Sequence, residues 1–274
     1  MLADNVVEEF KPDLVISLNK RCQKISATVK KYLAISGDSK RIFDVTCENP
    51  EEFLAYDGFL SASPFVEKIK EFVESSGKCF QVIDWYPSCP ATRFEPIIPQ
   101  RLFYCGFQWD KKRNGLEYQK MFSLLDQKGY FDVYGPPERW QCAPNARKGY
   151  LPFDGGESLC KAMRKAGVVL ILHAQSHIDL QAPTGRIFEA AASCSVIISD
   201  RNPFIMKEFG EAVLYIDGNL RGEELFLAID KHMKWVISHT QESQRMAQKA
   251  HEIYLEKFTL EKQMQKLISL YEKT

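Results

Sequence analysis

The chain has 274 residues, with 36 Lys+Arg against 36 Asp+Glu, 45% apolar and 26% charged residues, which excludes disorder as its dominant state. A formal net charge of zero gives no long-range attraction to a polyanion, so nucleic acid is not an expected partner and any anion site must be local. The longest apolar run, Val168–Leu172, is far below the roughly 20 residues of a membrane helix, and the N-terminus has no basic flank before an apolar stretch, so the reading is no membrane span and a cytoplasmic location.

In chain order, short runs rich in β-branched and aromatic residues predict strands at "DLVIS" from Asp13, "RIFDVT" from Arg41, "DGFLSA" from Asp57 and "CFQVID" from Cys79. Next comes "YPSCPATRFEPIIPQ", Tyr86 to Gln100, which carries four of the 13 prolines and reads as an extended linker. A second group of strands follows: "RLFYCGF" from Arg101, "FDVYG" from Phe131, "VVLILH" from Val168, "SVIIS" from Ser195 and "AVLYI" from Ala212. Helical periodicity fills the gaps. Leu116, Met121, Leu124 and Leu125 form one stripe, stopped by Gly129; Leu260, Met264, Leu267, Ile268 and Tyr271 form another, with Thr259 as N-cap and Glu261 in the first turn.

Strands alternating with helices imply an α/β protein of two Rossmann-like domains, residues 1–97 with the proline-rich linker and 98–274 with the terminal helices. Four strands before the linker are fewer than the about six of a doubly wound domain, so the N-terminal domain is expected to be incomplete, with an upstream part lost or encoded elsewhere. An exposed sheet edge there makes self-association an expectation. Eight cysteines with no CxxC pair argue against a zinc ribbon or a disulfide framework.

Chemistry concentrates in "QAPTGRIFEAAASCSVIISDRNPFIMKEFGEAVLYID", Gln181 to Asp217. Pro183, Thr184 and Gly185 form a turn into a helix, and free amides at the positive end of its dipole can hold a phosphate. Arg186 can add a bidentate guanidinium, and Glu189, three residues on, can accept ribose hydroxyls or simply pair with Arg186.

This segment, followed by a helix from "GEELFLAIDKHM" and the terminal pair "AHEIYLEKFTLEKQMQKLISLY", resembles the C-terminal domain of nucleotide-sugar glycosyltransferases of the GT-B fold, in the family 1/4-like, spore-maturation-like branch. The resemblance runs from about Arg101 to Tyr271. It implies transfer of a sugar from a nucleotide-diphosphate sugar to a glycan, lipid-linked or protein hydroxyl, with neither metal nor bound cofactor. It also implies that Glu189 grips the donor's ribose while Thr184, Gly185 and Arg186 meet the diphosphate. Gly106, at the end of a strand, would lie beside the diphosphate too, and Lys111, Lys112 and Arg113 are candidates to neutralise the leaving group.

His173 is a candidate contact to phosphate or sugar; with His177 it lacks the third ligand that a metal would need. Tyr134 or Tyr150 could stack on the base. Asp84, ending a strand near the linker, is the one carboxylate nominated as acceptor-side general base. The resembling family often has a second glutamate where this chain has Gln181 and a glycine where it has Cys194. Those departures, with the missing N-terminal strands, favour one rival, an inactive sugar-nucleotide-binding or assembly partner; a sugar-nucleotide epimerase would need acid/base carboxylates that the sequence does not offer around the donor, and the paired domains and proline linker disfavour an interaction module of receiver type.

Overall fold

The computed structural model describes residues 7, 9–17, 29–35, 54–61, 66–77, 81–86, 88–106 and 112–272. Contacts divide the chain into two compact units. One comprises Met1–Pro87, Asp179–Ala182 and Lys266–Thr274; the other comprises Ser88–Ile178 and Pro183–Gln265.

The N-terminal unit is built on four parallel strands in simple sequence order: β1 (Leu14–Ser17), β2 (Lys30–Ile35), β3 (Gly58–Ser61) and β4 (Gln81–Asp84), with helix α1 (Val66–Ser75) before β4. Leu33, Tyr56, Phe59 and Val73 form its core. β2 was not expected, because it opens with two lysines. Lys31 is nevertheless buried: its amide donates to Asp57 Oδ2 at 2.8 Å and its ammonium lies 5.0 Å from the Tyr56 ring centroid, so the charge sits on an aromatic face. The run expected from Arg41 lies outside the described residues.

The larger unit holds six parallel strands, β5 (Arg101–Cys105), β6 (Phe131–Tyr134), β7 (Arg147–Gly149), β8 (Gly167–Ile171), β9 (Val196–Asp200) and β10 (Leu214–Ile216), in the order β10-β9-β8-β5-β6-β7. The chain starts in the middle at β5, runs outward through β6 and β7, then returns to the other side of β5 as β8. Strand order therefore reverses between β5 and β8, which makes their carboxyl ends the topological switch point. β7, "RKG", has no apolar residue and was not predicted.

The helices follow from their buried stripes. In α2 (Leu116–Asp126) the core face is Tyr118, Met121, Phe122 and Leu125, at the i, i+3, i+4, i+7 spacing of one helix face. Leu116, expected on that face, is 82% exposed because it is two residues out of phase with it. Glycines Gly167 and Gly129 have φ of +83° and +73° at the start of β8 and just past α2. Helices α3 (Glu157–Ala166), α4 (Gln175–Asp179), α5 (Arg186–Ala192) and α6 (Pro203–Phe209) are short, whereas α7 (Gly222–Ser238), α8 (Thr240–Lys257) and α9 (Leu260–Tyr271) close the chain. Thr259 caps α9 as expected, its Oγ1 accepting from Lys262 N at 3.3 Å. Among the described residues no helix is long and apolar enough to cross a membrane.

The proline-rich stretch has no regular secondary structure, and residues 88–100 are stitched onto the larger unit as a strap. Tyr254 OH donates to the carbonyls of Cys89 (2.6 Å) and Pro90 (2.7 Å), Leu260 N to Cys89 (2.7 Å) and Gln244 Nε2 to Ile97 (2.9 Å). Thr92 Oγ1 donates to Ala192 O at 2.7 Å, the Ala91 amide meets the Glu261 carboxylate, and Arg164 pairs with Glu95. The strap thus contributes acceptors where a ladder would have asked for donors that proline lacks.

Candidate functional site

The switch point is where the larger unit places several of the side chains singled out in the sequence. β5 ends in Cys105, and Gly106 follows, its amide donating to Tyr134 O at 3.3 Å. The loop after β6 comes so close that a Cβ on Gly135 would stand 2.6 Å from Gly106 O; with φ at +143°, only glycine fits. Gly135 thereby lets the β6 loop buttress Gly106.

On the other side of the switch, β8 leads into His173 and β9 into Asp200. The strands are adjacent and in register, Ile171 opposite Ser199, so Asp200, the last residue of β9, meets His173 just beyond β8. Asp200 Oδ2 accepts from the His173 amide at 2.9 Å and Oδ1 lies 2.5 Å from His173 Nδ1. Both residues are buried. The bond assigns the Nδ1 proton to the Asp200 side and leaves Nε2 facing outward from the pair; among the described residues Nε2 has no hydrogen-bond partner. Arg113, also expected here, donates from Nη1 to Leu172 O at 3.3 Å, directly before His173. Lys112 forms the turn ahead of it, its carbonyl accepting from Gly115 N at 3.1 Å. Lys111 lies outside the described residues.

The third element is the turn Pro183–Gly185 and α5. Thr184 Oγ1 accepts from Arg186 N at 3.1 Å, and the carbonyls of Thr184 and Gly185 accept from Ile187, Phe188 and Glu189. The sequence suggested a turn rich in free amides; instead the threonine hydroxyl and the tight first turn consume them, which leaves the Thr184 and Gly185 amides without a partner among the described residues. Arg186 Nη1 and Glu189 Oε2 pair at 2.6 Å, each side chain 26% exposed. Of the two fates open to Glu189, then, the ion pair is realised, in a place that solvent still reaches. Ala190, Ala191 and Ala192 are buried, so small side chains bring α5 close to the sheet.

Electrostatics tie α5 to the end of β5. Burial pushes the Cys105 thiol up, Arg186 pulls it down and Glu189 pushes it up, so the pair lies within Coulomb range of the residue before Gly106. Gly106, Arg113 and His173 thus lie by the carboxyl ends of β5 and β8, and the Arg186–Glu189 pair acts on the end of β5. Asp84 is not among them: it ends β4 in the other unit, exposed, and accepts from Tyr86 OH at 2.8 Å. Of the two tyrosines considered for base stacking, Tyr134 is already stacked on Phe103, centroids 5.2 Å apart, whereas Tyr150 is 60% exposed. Asp200 was missed by sequence reasoning; its signal was a carboxylate as the last residue of a fully buried parallel strand. Cys194 has φ of +57° and Gln181 +52°, left-handed positions occupied without glycine. No group of three metal-ligating side chains occurs among the described residues.

Comparison with known proteins agrees with this fold. A family model described as "Glycosyl transferase-like" matches residues 113–269, more than half of the chain. No curated relative matches. Among solved structures, an alpha-glucosyltransferase in complex with UDP-glucose and DNA containing an abasic site is 13% identical with a TM-score of 0.63, covering 99% of this chain and 84% of that one. Sucrose-phosphate synthase from Thermosynechococcus elongatus is 9% identical with a TM-score of 0.62, covering 98% and 75%. The GtfA/B complex is 14% identical with a TM-score of 0.59, covering 98% of this chain and 59% of its own. The chain likewise spans 57% of the TarM chain that it matches. At these identities the likeness is one of fold.

Proposed function

Because the chain belongs to the glycosyl transferase-like family and carries two parallel α/β sheets of the GT-B type, we propose that it moves a sugar from a nucleotide-diphosphate sugar to a hydroxyl acceptor. The observation that supports this most is the placement of Gly106, Arg113 and the Asp200–His173 pair at the ends of β5, β8 and β9, around the switch point, with the Arg186–Glu189 pair within Coulomb range of Cys105 at the end of β5.

The division of labour follows from charge. Rupture of the bond between sugar and diphosphate builds negative charge on the departing oxygens. Arg186, Arg113 and the neighbouring Lys111 and Lys112 are the cations assigned to that charge, with the Thr184 and Gly185 amides as further donors. No metal ion is invoked. Glu189 swings from Arg186 to accept the ribose hydroxyls, exchanging one charged hydrogen-bond partner for two neutral ones while the guanidinium turns to phosphate. His173, its Nδ1–H held by Asp200, presents the Nε2 lone pair to a sugar hydroxyl, which donates to it. Asp84, in the N-terminal unit, is the group assigned to take the acceptor's proton. The solved neighbour that holds UDP-glucose makes a uridine nucleotide the first donor to try.

A second reading, donor binding without turnover, is favoured by one observation: Gln181, at a strained left-handed φ of +52°, offers an amide where the resembling family often has a sugar-contacting carboxylate. Incubation with UDP-, GDP- and ADP-sugars, with and without EDTA, separates the two. Release of nucleoside diphosphate that survives EDTA supports a transferase; a raised melting temperature with no release supports a binder; an epimerised sugar identifies the third chemistry; no response to any sugar removes all of them.

A further inference from the structure

Helix α8 sets a histidine between two carbonyls. His251 is buried, with Nδ1 2.9 Å from Ala191 O and Nε2 3.1 Å from Thr92 O. A carbonyl oxygen only accepts, so both nitrogens have to donate, and a ring with two N–H groups is the imidazolium. A neutral ring would turn one lone pair onto a carbonyl, and a buried cation with no counter-charge is costly as well.

The turn after α5 supplies a counter-charge. Cys194 N donates to Ala191 O at 3.1 Å and Ser195 N to Ala190 O at 3.2 Å, the pair of bonds with which a helix commonly ends on a left-handed glycine. Here the left-handed residue, at φ +57°, is a cysteine, in a conformation that a side chain disfavours. Its sulfur thereby lies 3.9 Å from His251 Nδ1 and accepts from Arg164 Nη1 at 3.8 Å. Arg93 O and Ala192 O stand 3.6 Å and 3.9 Å from the same sulfur, the partners that a neutral thiol would choose.

We propose that the Cys194 proton resides on His251, so that a buried thiolate–imidazolium pair forms a pH-sensitive clasp between the strap and the end of α5. The S–H bond is exchanged for a second N–H on the ring, and the pair carries no net charge. The imidazolium donates to Thr92 O of the strap and to Ala191 O in the last turn of α5, where the helix dipole favours a cation. The other charged and titratable groups that face the pair are Arg164 of α3, which also pairs with Glu95 of the strap, and Tyr254 of α8, its ring centroid 6.0 Å from that of His251.

Burial pushes the imidazole down, but its bonds to Cys194, Ala191 and Thr92 outweigh that and raise it. Burial pushes the thiol up, but His251, the Glu95 amide and Arg164 outweigh that and lower it. A raised imidazole adds stability that is full below its unfolded value of about 6.5 and is lost as pH rises through the folded value. A lowered thiol adds stability that is full above its unfolded value of about 8.5 and is lost as pH falls through the folded value. The two slopes cancel between about pH 6.5 and 8.5, so the clasp is strongest there and weakens on either side.

The test is heteronuclear NMR of the His251 ring in the full chain at neutral pH, together with the ultraviolet absorbance of a thiolate. Two ring N–H groups on His251 are expected, with a thiolate absorbance that Cys194→Ser removes. The wild-type melting temperature is expected to exceed that of a Cys194→Ser, His251→Gln double variant by several degrees across that window, the gap narrowing below and above it. A single ring proton on His251 with no thiolate signal, or a gap that is the same at every pH, overturns the proposal. NMR of the wild-type protein decides the matter even if the double variant does not fold, and no sugar nucleotide enters these measurements.

Discussion

At the scale of single residues, Glu189 carries the clearest forecast. Glu189→Ala should weaken donor binding by about 1–3 kcal/mol, the worth of hydrogen bonds to a charged group, as read by titration calorimetry. Arg186 is left unpaired in that variant and can turn wholly to phosphate, so Glu189→Gln, which keeps the contact but not the charge, should fall between. Unchanged affinity in a folded variant would remove the ribose assignment. Residue identities in this site were legible where one segment carries several of them, as in Thr184 to Glu189. They were not legible where two strands bring them together. Nothing in the 27-residue separation of His173 from Asp200 announces the bond, which exists because β8 and β9 are neighbours in register.

At the scale of elements, Gly135 and Asp132 test different forces. Gly135→Ala forces a side chain into φ +143° and onto Gly106 O, so it should cost about 1–3 kcal/mol of strain in urea denaturation and weaken donor binding by loosening Gly106. Asp132 lies on β6; burial pushes its carboxyl up, but hydrogen bonds and charge from Arg101 and Lys148 outweigh that and hold it below the usual range. A lowered carboxyl stabilises the fold at pH above its unfolded value of about 3.9, and that stability is lost as pH falls through the folded value. Asp132→Asn should therefore cost about 1–3 kcal/mol at pH 7, with the gap to wild type closing below about pH 4 in thermal melts. A gap independent of pH would mean that shape rather than charge is at work. Strands with β-branched runs, such as β8 and β9, could be read directly, whereas β2 and β7 could not: lysine over an aromatic ring and a three-residue "RKG" edge do not show the period-2 pattern. In α2 the period was visible but its phase was not, because Leu116 and Leu124 suggested a stripe that Tyr118 and Phe122 actually set.

At the scale of the whole molecule, the order of strands mattered more than any motif. Alternating strands and helices announced two α/β units, yet only the placement of β8 beside β5 identifies which loops face the crevice. The strap is held as firmly as many regular elements. Tyr254→Phe removes both hydrogen bonds from its hydroxyl and should lower stability by about 1–2 kcal/mol, with faster hydrogen exchange at Ala91 and Thr92 as the local signature. A strap fastened mostly by its carbonyls has a further consequence. Its prolines interrupt the row of N–H groups that another chain would need for strand addition, so a segment that is both extended and firmly anchored still offers a poor template for amyloid-like growth.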